Sequence, residues 1–116
     1  MQGVYLLSGT AVFPEDPKLT EKSIIRLILE DVTTAKLGMI RIAEKQVEFD
    51  PDDIAVFKYL NFDFKDFEMD ENRKYTLAMH VDRNGNEIAE AGDFVTKETY
   101  SVVSGLEQFQ MQLTKV

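Results

Sequence analysis

Alternation of apolar and polar side chains is the dominant pattern in this chain. It is clearest where Tyr75, Leu77, Met79 and Val81 fall on one face and Thr76, His80 and Asp82 on the other. A period of two marks a half-buried antiparallel strand. Asn84-Gly85 then predicts a tight type I′ hairpin, with Ile88 beginning the return strand. The same reasoning predicts a strand from Gly3 to Phe13, stopped by Pro14 and Pro17, and another from Ser23 to Val32. In the latter Ile25, Leu27 and Leu29 share one face. Ile24 and Ile28 lie on the other with Arg26 and Glu30, so that face is expected to be partly covered.

Met39 to Phe49 reads as extended through Ile40, Ile42 and Val47. A helix over residues 34–48 competes with that reading, at a cost of about 1 kcal/mol for Gly38. Asp50-Pro51-Asp52-Asp53 reads as a loop. From Val56 to Phe64 the residues Val56, Lys58, Leu60, Phe62 and Phe64 alternate with Phe57, Tyr59, Asn61 and Asp63, which predicts a strand. Lys65 to Asn72 makes a polar corner. Phe94 to Val103 predicts a further strand, ended at Ser104-Gly105, and Glu107 to Val116 closes the chain with Phe109, Met111 and Leu113 set against Gln108, Gln110 and Gln112.

Seven or eight short strands with little helical periodicity predict an all-β fold, specifically an immunoglobulin-like antiparallel β-sandwich. Its expected core is Ile25, Leu27, Leu29, Leu60, Phe62, Tyr75, Leu77, Met79, Phe109 and Met111. Tyr75, entered through a polar corner, matches the tyrosine corner of such sandwiches, whose hydroxyl bonds back to upstream backbone. With 116 residues the chain is expected to form one domain, residues 1–116, without metal or disulfide staples.

Composition narrows the chemistry. Cysteine is absent, which removes disulfides, thiolate nucleophiles and Cys-based zinc sites while leaving the redox compartment open. A net charge of −8, from 21 acidic and 13 basic residues, argues against nucleic acid as a partner. The longest apolar runs, around Ile24 to Leu29, are too short to cross a bilayer, so no transmembrane segment is expected. The first residues lack the basic start and apolar stretch of a signal peptide. The protein is therefore cytoplasmic, or it belongs to the cell envelope or periplasm and a leader has been removed.

Several motifs together resemble the YbaY/YscW family, lipoproteins named for the pilotin chaperones of type III secretion. They are Gly9-Thr10 in an early strand, Leu29-Glu30-Asp31-Val32 at a strand end, the Phe-centred stretch from Phe57 to Phe64, a Tyr-Thr-Leu strand followed by Asn-Gly, and Thr99-Tyr100-Ser101-Val102. The resemblance runs from about Val4 to Val103 and implies an immunoglobulin-like sandwich with a chaperone-like role. It departs from the family in lacking a leader and a lipid-modified cysteine. Thr33-Thr34-Ala35-Lys36 replaces a more acidic continuation, and Ser101 stands where the family has proline.

Candidate sites are few. Asp82, Asn84 and Asn86 resemble the start of an oxygen-ligand calcium loop across residues 82–93, but Glu87 occupies the position of the turn glycine and Asp93 that of the bidentate glutamate. A hairpin explains the same residues without metal. Two further acidic clusters, Asp50/Asp52/Asp53 and Asp66/Glu68/Asp70/Glu71, read as solvated faces, the other reading being a cation site or an acid–base pair. His80 is the only histidine, so neither a histidine zinc cluster nor a histidine relay can be built. No phosphate-cradling loop or nucleophile elbow is present, and neither enzymatic activity nor a cofactor is expected. Phe57 and Tyr59 lie opposite the apolar face of their predicted strand. They either pack under a loop or form an aromatic patch for a protein client, with edge strands open to strand addition. A carbohydrate- or small-ligand-binding accessory domain is the alternative, weakened by the absence of tryptophan.

Overall fold

A computed structural model of the chain describes residues 6–33, 40–65, 67, 69–70, 72–102 and 106–116. Nearly all of the regular structure is β. The strands are β1 (Leu6–Val12), β2 (Ile24–Asp31), β3 (Ile40–Val47), β4 (Tyr59–Phe64), β5 (Tyr75–Asp82), β6 (Phe94–Thr96), β7 (Tyr100–Val102) and β8 (Leu106–Lys115), with one short helix, α1 (Pro51–Phe57), between β3 and β4. That helix is not long enough to cross a membrane.

The strands join in the order β3-β2-β5-β6-β8-β1-β4, with β7 also on β5. This is one continuous curled sheet, a half-barrel, rather than the two separate faces of the expected immunoglobulin-like sandwich. The reason lies in β8. Residues Leu106–Gln112 run parallel to β1, while Leu113–Lys115 pair with β6, so one long strand carries hydrogen bonding from one wall to the other. Gly9 makes this possible, because a Cβ there would lie 2.1 Å from the carbonyl oxygen of Phe109.

The concave side is filled by the residues that alternation points inward. Ile25, Leu27, Leu29, Leu60, Phe62, Tyr75, Leu77, Met79 and Met111 are all buried, and Phe109 packs against them partly exposed, its ring edge-on to Tyr100. The Tyr75 hydroxyl accepts from the Asp70 backbone N–H at 2.7 Å, as a tyrosine corner requires.

Besides the strand expected from Phe94 to Val103, which is split into β6 and β7 by a break at residues 97–99, two expected elements differ. Residues 51–57 are helical, so Asp50-Pro51-Asp52-Asp53 is a helix start rather than a loop, and Val56 and Phe57 are not in a strand. Asp50 caps the helix by accepting from the Asp52 N–H at 2.9 Å, Pro51 sits where no N–H is needed, and the acidic first turn suits the helix dipole. Lys58, left-handed at φ 58°, ends the helix and turns the chain into β4. The second difference is the turn after β5. Residues 83–88 are bends, Asn84 does not take the positive φ of a type I′ turn, and the return strand begins at Phe94, not Ile88. Residues 40–47 are a strand, and Gly38, Asp66, Glu68, Glu71 and Ser104-Gly105 lie outside the described residues.

Candidate functional site

β3 and β4 stand at the two ends of the strand order, so among the described residues each has one side with no strand beside it. The curl brings these two free edges face to face. Ala43, Glu44 and Lys45 lie across a groove of about 410 Å³ from Asp63, Phe64 and Lys65. Lys45 to Glu48 lie across a second, of about 470 Å³, from Asn61, Phe62 and Asp63. The two edges therefore run antiparallel to each other. No backbone ladder joins them among the described residues.

Which backbone groups face the gap follows from the alternation of an antiparallel pair. The Lys58 carbonyl accepts from the Phe13 N–H at 2.9 Å, while the Lys58 N–H closes α1 on the Ile54 carbonyl, so from there Leu60, Phe62 and Phe64 turn their amides toward β1. Tyr59, Asn61 and Asp63 then present theirs to the gap. The Asp63 carbonyl is in fact taken from that side: Lys45 Nζ donates to it and to Asp63 Oδ1, both at 2.8 Å. Lys45 stands opposite Leu27 on the inward row of β3, between Ala43 and Val47. A long side chain thus bars the slot where a ladder would otherwise run, and an inward-pointing charge on an edge strand is a known guard against unwanted pairing. The same pair holds the Asp63 carboxyl below its ordinary value, chiefly through the hydrogen bond from Lys45.

The slot has two kinds of wall. Its floor is apolar, with Leu60, Phe62, Phe64 and Val47 buried. Its outer rim carries Glu44 and Gln46 on β3, Glu48 just past its end, and Tyr59, Asn61 and Asp63 on β4, all exposed. At one end α1 adds Ile54, buried, and Phe57, and a smaller hollow there is lined by Glu48, Phe49, Asp53, Phe57 and Tyr59. Phe57 and Tyr59, at 60% and 56% exposure, do not pack under a loop. They come from helix and strand, yet meet at this hollow.

The turn after β5 is closed by its own side chains. Asp82, placed on the wet face by alternation, is fully buried. It takes Arg26 Nη1 at 2.7 Å and the backbone N–H groups of Asn84, Gly85 and Glu87. Burial alone would raise its pKa, but Arg26 and the N–H groups of Glu87, Asn86 and Gly85 outweigh that and bring it to about 2. Asn84 and Asn86 both donate to Glu90 Oε1, so their amides do not converge with Asp82 on a cation. The charged partner of Asp82 is the Arg26 guanidinium. Among the described residues no group of three or more His, Asp or Glu is placed to hold one. His80 is half-buried rather than a free surface group, and its Nε2 pairs with Asp93 Oδ2 at 3.1 Å.

No family model matches the sequence, and no curated protein matches it. Among solved structures the fold is similar to that of an alternative pilotin from the type II secretion system of Vibrio cholerae. The TM-score is 0.69 over 98% of each chain, at 18% sequence identity. The likeness is one of fold: a pilotin has the same curled β architecture along almost its whole length.

Proposed function

We propose that this chain is a non-enzymatic protein-binding module of the pilotin kind, which takes an extended segment of a client protein between β3 and β4. One observation carries the reading: two strand edges face each other across a slot that, among the described residues, is bridged by Lys45 and Asp63. Strand addition to such edges draws affinity from main-chain hydrogen bonds and selectivity from the flanking side chains. Phe57 and Tyr59 stand at the mouth as apolar anchors. The fold shared with a secretion pilotin supports the reading, as does the resemblance to YbaY/YscW lipoprotein chaperones.

The chain has no cysteine, so an introduced pair can be linked without ambiguity. A Gln46→Cys, Asn61→Cys variant, whose two sites lie across the same groove, joined by a bis-maleimide should lose capture of its client from envelope extract, while the unlinked variant retains it. Undiminished capture by the linked, folded protein would overturn the slot. Saturable binding of wild type on a glycan array would instead support a sugar-binding role.

A further inference from the structure

We infer that the segment received by the slot alternates apolar with basic residues, and that Lys45 is the stand-in for a cation that the client brings to Asp63. The inference rests on the strand-insertion reading above. β3 and β4 run antiparallel, so a single strand between them is parallel to one and antiparallel to the other. β1 already does this between β8 and β4.

An inserted strand sends alternate side chains to opposite faces. One row meets Ala43, Val47, Leu60, Phe62 and Phe64, with the aliphatic stem of Lys45 between the first two, and this lining favours apolar groups. The other row lies between Glu44, Gln46 and Glu48 on one side and Tyr59, Asn61 and Asp63 on the other. Among the described residues that rim has carboxylates on both strands, and the basic groups nearest to it are engaged or lie to the side. Arg41 is engaged with Glu44 at 3.1 Å, and Lys58 and Lys65 lie beyond the two ends of β4.

Lys45 reaches Asp63 through the space the new backbone would fill. Entry of a strand displaces it and leaves Asp63 facing the newcomer's outward row. Lysine or arginine there restores the lost pairing and meets Glu48 as well, whereas an acidic residue sets like charges side by side. A second copy of this chain fits poorly, because its own free edges carry Glu44 and Glu48 or Asp63. The net charge of −8 favours encounter with a basic segment from a distance.

The test uses the full chain as bait for phage-displayed decapeptides in which alternate positions are valine and the rest are randomised. Selected peptides should carry lysine or arginine at the randomised positions and shift the amides of Tyr59, Asn61, Asp63 and β3 in the labelled protein. Changing those cations to glutamate, or a folded Glu48→Gln, Asp63→Asn variant, should weaken binding about tenfold. Lys45→Ala should strengthen it, since the stand-in is gone. Peptides that shift the slot amides but carry neutral or acidic residues outward would overturn this inference and leave strand insertion standing. Peptides that bind without touching the slot would overturn both.

Discussion

Two ion pairs of nearly equal length do opposite things in this molecule. Arg26–Asp82 measures 2.7 Å and Lys45–Asp63 2.8 Å, but the first is buried on both sides and the second is 40% and 52% exposed. Without water, Asp82 must be fully satisfied by protein, and its remaining bonds to Asn84, Gly85 and Glu87 fasten the turn after β5. Asp93 repeats the device from the other end of that turn, accepting from the backbone N–H groups of Arg83 and Glu90. Water can stand in for either partner of the exposed pair, so it closes the slot without locking it. Distance alone does not distinguish a staple from a latch; burial does.

The largest effect should come from the staple. Asp82→Ala leaves Arg26 as an uncompensated buried charge and should cost about 3–5 kcal/mol in urea denaturation. A loss no greater than that of an exposed pair would erase the contrast. Gly9→Ala comes next, on the seam where β1 and β8 are already joined. Its methyl would meet the Phe109 carbonyl, for about 1–3 kcal/mol of lost stability by the same assay.

Acid should separate the two pairs by a third route. The folded-state pKa of Asp82 is about 2, below its ordinary 3.8, so the stability it lends is whole above 3.8 and drains away as pH falls toward 2. Asp31, held at about 2 chiefly by the hydrogen bond from Arg73, acts in the same direction. Tm should therefore fall across that window, and more shallowly in an Asp82→Asn variant whose Tm is already lower. The smallest effect should be that of Lys45→Ala, within about 1 kcal/mol. A cost as large as that of Asp82→Ala would make the slot a fixed closure.

Local pattern made β2, β5 and β8 legible, because each buries one clean face: Ile25/Leu27/Leu29, Tyr75/Leu77/Met79/Val81 and Met111/Leu113. It misled from Val56 to Lys58, where the alternation of β4 extends by chance back into α1. The cap and proline at Asp50-Pro51, with acid in the first turn, were the signal against it. Period two also put Asp82 in water, since nothing local shows that Arg26 will reach it from the next strand. Phe57 and Tyr59 stood out as rings opposite an apolar face. The slot beside them was not legible, because which strands lack a neighbour is decided by the pairing of β1 with β8, at opposite ends of the chain.

Among the described residues β4 is joined by a backbone ladder on one side only, to β1, and native-state amide hydrogen exchange along that strand tests this. Leu60, Phe62 and Phe64 should exchange slowly, and Tyr59, Asn61 and Asp63 fast, in strict alternation. Uniform protection from Tyr59 to Phe64 would mean that β3 and β4 are joined by a ladder, and that there is no open slot for a client to enter.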